Sequence, residues 1–289
     1  MPKRDAVITQ GRVAVITGAA KGIGAAAARI LAQKGMKLAL LDSDKASLEV
    51  FAKTLDVETL SVVGDVSEVD VLRRFKDQIL ERFGDIALVM NNAAIKVEAG
   101  PWDSPHTWQK QMDVNFGGML AMHHVFVPEL IVADKPAMIV NLGSKEGITT
   151  PPGFAGYSVS KAGVKVLTEQ LAYELRNVVQ DRVSAHLLVP GYTWTPMNGA
   201  EQRTESDSKP DEAWTAEQVI QYALAGLNKG EFYIICPDNA VTSKMDAKRI
   251  EWAANDMIQN RPALSRWHPD YADKFKAYAR SAESWDHSE

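Results

Sequence analysis

Short β-rich apolar runs alternate along the chain with longer stretches of helical periodicity. The apolar runs predict strands at 12–16, 37–41, 59–63, 86–90, 138–142, 183–189 and 231–236. Several are nearly continuous in Val, Ile, Leu and Ala, as in strands buried on both faces. Helices are predicted between them. One covers 22–34 and stops at Gly35, a residue suited to the left-handed position after a helix. Another opens at Ser67 with Asp70 three residues on, close to a capping box. A long helix begins at Ser104-Pro105 and runs to about 132; Pro128 inside it predicts a kink or break there. The most regular helix is 157–177, and Thr215 with Gln218 caps a further one to about 228. This alternation builds an α/β fold, a doubly wound parallel seven-stranded sheet with helices on both faces. Ligands of such sheets sit at the carboxyl ends of the strands.

The rhythm changes at two places. The segment 198–211 is polar and aperiodic and reads as a mobile loop. After Pro237 the pattern becomes helical only, with helices expected at 243–260 and 269–281. These carry Met245, Ile250, Trp252, Met257, Trp267, Tyr271, Phe275 and Tyr278. Aromatic residues at helical spacing are usually packing, so this tail is expected to dock on the core or on a neighbouring subunit, with a lid role as a further option.

Composition narrows the function classes. At 289 residues, 46% hydrophobic and 24% charged, the chain is an ordinary globular protein rather than a disordered one. A chain of this length buries about three quarters of its unfolded surface and needs no covalent staple. Cys236 is the only cysteine, which excludes an internal disulfide and any Cys-cluster metal site and points to a reducing, cytoplasmic setting. Lys and Arg number 32 against 37 Asp and Glu, a net charge of −5, so no global basic field is present to hold nucleic acid. No run approaches the roughly 18 apolar residues of a membrane helix. No secretory apolar core follows the basic N-terminus before Gly11.

Candidate chemistry clusters at the expected strand ends. Thr17-Gly18-Ala19-Ala20-Lys21-Gly22-Ile23-Gly24 follows the first strand and opens a helix. Glycines let the backbone turn and phosphates approach, and the helix N-terminus offers free N–H groups and partial positive charge. Asp42 ends the second strand, where a carboxylate accepts from adenosine ribose hydroxyls and repels a 2′-phosphate, favouring NAD over NADP. Lys21 pulls the other way, as a cation able to pair with that phosphate. Asp42 carries more weight, because a carboxylate beside a phosphate dianion costs several kcal/mol. Asp65-Val66 and Asn91-Asn92-Ala93-Ala94 end the third and fourth strands. Asp65 is placed to accept from the adenine amino group, and the Asn92 and Ala93 backbone to line the ribose; ordinary turn roles fit each of them as well.

Tyr157 and Lys161 stand four apart on a predicted helix and so share a face. A phenol titrates near pH 10 and is only about 0.1% ionised at neutrality; a nearby ammonium favours the phenolate. Lowering it to about 7 requires roughly 4 kcal/mol, which one close cation and a cationic nicotinamide would supply. Ser144 ends the fifth strand. Asn115 lies mid-helix between apolar neighbours, where its poor propensity calls for a reason.

With these motifs in order, the chain resembles the short-chain dehydrogenase/reductase family, of the single-domain type with a Rossmann-like fold. The resemblance covers about 10–240 and implies a single NAD-binding catalytic unit at 1–240 with a helical extension at 241–289. It implies that Tyr157 is the general acid/base, that Lys161 lowers its pKa and holds the nicotinamide ribose, and that Ser144 bonds the substrate oxygen. Asn115 would hold a relay water. Pro190-Gly191-Tyr192-Thr193-Trp194-Thr195 resembles the segment after the sixth strand, with Thr193 and Thr195 clamping the carboxamide. Ala94, Lys145-Glu146 and the end of the last strand depart from the family pattern. Substrate residues are expected among Lys96, Ser144, Glu146, Phe154, Tyr157, Tyr192, Trp194 and Met197; the large apolar ones suggest a bulky hydrophobic or aromatic secondary alcohol or ketone. For Glu146 an ion pair with Lys145 or a loop residue is the plainer role, and for Trp194 loop anchoring. The alternatives are a sugar or polyol dehydrogenase of the same family and a non-catalytic dinucleotide-binding regulator. By the same resemblance a homodimer or homotetramer forms through the helices at 104–132 and 157–177.

Overall fold

The computed structural model describes residues 4–198 and 208–280. In chain order its elements are α1 (Arg4–Val7), β1 (Val13–Thr17), α2 (Gly22–Gln33), β2 (Lys37–Asp42), α3 (Lys45–Ala52), β3 (Thr59–Val63), α4 (Val69–Phe83) and β4 (Leu88–Asn91). There follow α5 (Pro105–Met112), α6 (Gly118–Val132), β5 (Ala137–Leu142), α7 (Glu146–Thr149), α8 (Ala155–Val179), β6 (Val183–Val189) and α9 (Ala216–Lys229). β7 (Tyr233–Ile235), α10 (Ser243–Ile258) and α11 (Ala272–Arg280) complete the set. The strands form one parallel sheet in the order β3-β2-β1-β4-β5-β6-β7. The order reverses direction between β1 and β4, so their carboxyl ends open a crevice where a ligand can enter.

Strand alternation builds two cores. Ala14, Ile16, Leu38 and Leu40 face one layer, packed by α2, α3 and α9. Their neighbours Val13, Val15, Ala39 and Leu41 face the other, packed by α4, α6 and α8. Both faces being covered explains why β1 and β2 read as unbroken apolar runs. Phe75 of α4 meets Phe126 of α6 edge-on, with ring centroids 6.3 Å apart, in the second layer. Each such fully buried side chain contributes about 1.5–3 kcal/mol.

Three local expectations change. The helix predicted from Ser67 starts later, with Glu68 at the cap position. Ser67 is instead drawn to Asp65, which accepts from its N–H at 2.9 Å and its hydroxyl at 2.8 Å. The long helix does not break at Pro128; α6 runs through it. Pro128 removes one ladder bond, to the carbonyl of His124, without ending the helix. The irregularity falls earlier, where Asp113–Gly117 forms a π turn between α5 and α6. The Thr215 capping box is formed as expected.

Of the segment 198–211, residues 199–207 lie outside the described residues, as does the end of the tail from 281. In the tail, α10 and α11 carry a small cluster of their own: Trp252, Phe275 and Ala279, with Met245, Tyr271 and Tyr278 against it. Trp252 donates to Ser265 at 2.8 Å. α10 also packs on α7, immediately after Ser144. Among the described residues no helix is long and apolar enough to cross a membrane.

Candidate active site

A cleft of about 1070 Å³ opens at the carboxyl ends of the strands. The predicted cofactor residues Gly18, Lys21, Gly22, Ile23, Asp42, Asp65, Val66, Asn92, Ala93, Pro190, Gly191, Thr193 and Thr195 line it, together with Ser144, Tyr157 and Lys161. Gly24 does not, because it works from behind. A Cβ there would collide with the Gly18 carbonyl, so glycine is what lets the loop close against the helix. Gly18 itself has φ +62 and lies against Ala93, whose Cα a side chain would meet at 2.8 Å.

The loop is braced from the fourth strand. Asn92 Nδ2 donates to the carbonyls of Thr17 and Gly18 at 3.0 and 2.9 Å. The Thr17 hydroxyl accepts from the N–H groups of Asn92 and Ala93, both at 3.1 Å. These two side chains were not legible as a brace, since nothing in the spacing says that β4 closes on the loop after β1. No side chain caps α2 and no acidic residue stands in its first turn. Its N-terminal N–H groups and positive dipole end are therefore left for an anionic ligand.

Asp42 is held rather than free. Its Oδ2 accepts from Ala20 N at 2.9 Å and its Oδ1 from Asp44 N at 2.9 Å, which leaves further lone pairs on both oxygens for a diol. Lys21 is 3.1 Å from Asp44. Asp44 is lowered to about 2 by hydrogen bonds from Ser47 and then by Lys21, so it stays ionised and partly neutralises that lysine. The glycine cradle, the uncapped helix and the anchored Asp42 together fit a dinucleotide.

Into the same cleft α8 presents Tyr157 and Lys161. Lys161 Nζ donates to the Leu142 carbonyl at 2.8 Å and lies 5.8 Å from the Tyr157 ring centroid. Burial lowers Lys161 to about 8. Tyr157 moves opposite to the sequence expectation. Burial pushes it up to about 12, a hydrogen bond with Ser144 pulls it down, and the Glu146 charge raises it again. The expected lowering fails in the protein alone because the ammonium is turned to Leu142, while burial and a carboxylate both favour the neutral phenol. Ser144 Oγ accepts from Glu146 N at 3.1 Å.

Glu146 pairs with Lys96 at 2.5 Å and not with Lys145. Its second oxygen is buried without a hydrogen-bond partner. Lys96 also lies over the rings of Phe154 and Tyr157, at 4.3 and 5.3 Å from their centroids. Lys145 turns to α10, meeting Asp246 at 2.6 Å and Asp238 at 3.6 Å.

Asn115 sits fully buried in the π turn. Its Oδ1 accepts from Ile95 N at 2.8 Å, and its Nδ2 donates to Ile95 O at 2.9 Å and Ser160 Oγ at 3.1 Å. The side chain thus fixes the segment after β4. Of the expected substrate residues, Lys96, Ser144, Glu146, Tyr157, Tyr192 and Met197 line the cleft; Phe154 and Trp194 do not. Phe154 is occupied by Lys96. The Trp194 main chain bonds to Trp214 at 2.8 Å, an anchoring role. Arg249 and Asp238, which sequence reasoning did not single out, do line it; the fold brings them there from beyond β7, and no local pattern marks them.

The model of the short chain dehydrogenase family matches residues 12–206. The chain belongs to the short-chain dehydrogenase family. This family member is 32% identical over 224 residues to 3beta-hydroxysteroid dehydrogenase 1 of Eggerthella lenta, spanning 75% of this chain and 82% of that one. Among solved structures, a short chain dehydrogenase/reductase from Burkholderia phymatum in complex with NAD matches with a TM-score of 0.78 and 30% identity, covering 87% of this chain and 96% of that one. A metagenomic short-chain oxidoreductase in complex with NADP matches with a TM-score of 0.64 and 27% identity, covering 79% and 98%. The short-chain dehydrogenase described here is therefore an oxidoreductase by family, and its relatives include proteins solved with either dinucleotide.

Proposed function

We propose that this short-chain dehydrogenase interconverts a secondary alcohol and a ketone with NAD as the redox partner. The observation that carries the reading is the convergence of Ser144, Tyr157 and Lys161 on the cleft that the glycine loop also lines. Residues 1–240 form the catalytic unit in this reading, and 241–289 lean on it.

A bound nicotinamide supplies the hydride acceptor or donor. The protein does the rest. In alcohol oxidation, Tyr157 takes the hydroxyl proton while Ser144 donates to the same oxygen. With Tyr157 raised to about 12 in the chain alone, its phenolate would be favoured by the Lys161 ammonium and by the charge of an oxidised nicotinamide. Lys161 stands beside Tyr157 and would hold the nicotinamide ribose. Asn115 holds the Ile95 segment that forms the floor. Pro190, Gly191, Thr193 and Thr195 line the cleft and would hold the carboxamide. The apolar side of the substrate meets Tyr192 and Met197, both partly exposed at the mouth.

NAD is favoured over NADP by Asp42 at the end of β2 and by the partial neutralisation of Lys21 by Asp44. Fluorescence titration with NADH and NADPH tests it. NADH is expected to bind at least tenfold more tightly; equal or tighter NADPH binding contradicts it. A panel of secondary alcohols with NAD then locates the substrate.

A further inference from the structure

The extension brings a cation into the cleft whose charge the protein leaves incompletely balanced. Arg249 of α10 lines the cleft together with Lys145, Tyr192 and Asp238. Its Nε is buried and has no hydrogen-bond partner. The carboxylate that its guanidinium approaches, Asp246, stays 4.0 Å away. That carboxylate is already engaged by Lys145 at 2.6 Å. Asp238 does not compensate. One of its oxygens accepts from Tyr192 N and the other from Ala240 N, and Lys145 stands 3.6 Å away. Arg266 adds a third positive charge, close enough that its guanidinium is lowered to about 10 by burial and then by Arg249.

Lys145, Arg249 and Asp238 line the cleft, and with Asp246 and Arg266 beside them the group carries an excess of one positive charge. A partly buried guanidinium without a short partner is unfavourable in an empty cleft and favourable when an anion enters. Its planar fork suits a carboxylate in two-point contact. The location separates it from the place for the dinucleotide phosphates. Those belong at the start of α2, whereas Arg249 is tied through Asp246 to Lys145, the residue after Ser144.

We propose that Arg249 receives a carboxylate borne by the substrate at a distance from the reacting carbinol, so that α10 selects acidic secondary alcohols and their keto acids. The single excess charge favours a carboxylate over a phosphate dianion. This rests on the alcohol/ketone reading of the site and adds the substrate class to it.

Matched pairs test it: keto acids on aryl, cyclohexyl and linear skeletons, each against its own methyl ester. Each is titrated calorimetrically into the full-length protein saturated with NAD, a pairing of two oxidised partners that cannot turn over. At least one acid is expected to bind tenfold or more tightly than its ester, and Arg249→Met to bring that ratio to within about twofold of one. Arg249→Lys should retain part of the preference. A ratio measured on one preparation is independent of its folded fraction. The proposal is overturned if no acid outbinds its ester, if Arg249→Met keeps the preference, or if it weakens NADH binding by as much as acid binding. Turnover of the same pairs with NADH is read separately. Selective binding of an acid with no turnover of any pair keeps Arg249 as the carboxylate receptor and removes the alcohol/ketone reading instead.

Discussion

At the scale of the residue, the neighbours of Tyr157 set its acidity. Burial and the Glu146 charge both raise it, and the Ser144 hydrogen bond alone opposes them. Glu146 is thus a tuning residue, held in place by Lys96 at 2.5 Å. Replacing it by Gln removes a negative charge near the phenol and keeps the main-chain N–H that Ser144 accepts from. The phenolate is then easier to form, so the rise of kcat/KM with pH in alcohol oxidation should move to lower pH in Glu146→Gln. An unchanged or upward-shifted profile contradicts this role. The sequence made Tyr157 and Lys161 visible through their spacing of four, but not the direction of the shift. Spacing places two side chains on one face and says nothing about where an ammonium turns. Here it turns to the Leu142 carbonyl, a contact made nineteen residues away.

At the scale of the element, the helices and strands behind the site are joined by a buried polar chain. Asn91 of β4 donates to Asn141 of β5 at 2.7 Å, and Asn141 Nδ2 donates to Thr168 of α8 at 2.9 Å. His123 of α6 lies 3.0 Å from the same Asn141 nitrogen. Burial lowers His123 to about 4, partly offset by its bond with Asn141. The folded chain therefore keeps this ring neutral while the unfolded chain protonates it below about pH 6.5. Unfolding takes up a proton between about pH 6.5 and 4, so stability is present above that window and is lost as pH falls through it, by about 3 kcal/mol from this group. His186, also lowered by burial, acts in the same direction. Melting temperature should fall across this window in the parent chain and fall less in His123→Gln; identical slopes contradict it. Most elements were legible because the sheet is covered on both faces, so that β1 and β2 read as solid apolar runs. The π turn at Asp113–Gly117 was not legible. It exists because Asn115 reaches Ile95 across twenty residues, a tertiary demand that local propensity does not encode.

At the scale of the whole molecule, the fold leaves one helix face apolar and bare. Val159, Val166 and Tyr173 of α8, seven residues apart, are 48%, 53% and 57% exposed. Such a stripe suits a second copy of the same helix. The parent chain is expected to run as a dimer or tetramer in light scattering, and Val166→Glu with Tyr173→Glu to shift it to monomer; a monomeric parent contradicts this. The extension was legible as helices but not as part of the cleft. Its charges balanced along the sequence, and only folding sorts Arg249 and Asp246 toward Lys145. In the proposed reaction Tyr157 is the group through which the proton passes. The decisive measurement is NAD-linked oxidation of the best secondary alcohol by the parent chain and by Tyr157→Phe, with NADH affinity measured on both. General acid–base catalysis contributes roughly 10²–10⁴ in rate. Turnover should fall by about that factor while NADH affinity stays within a few-fold. A variant that keeps a tenth or more of the parent rate contradicts the assignment.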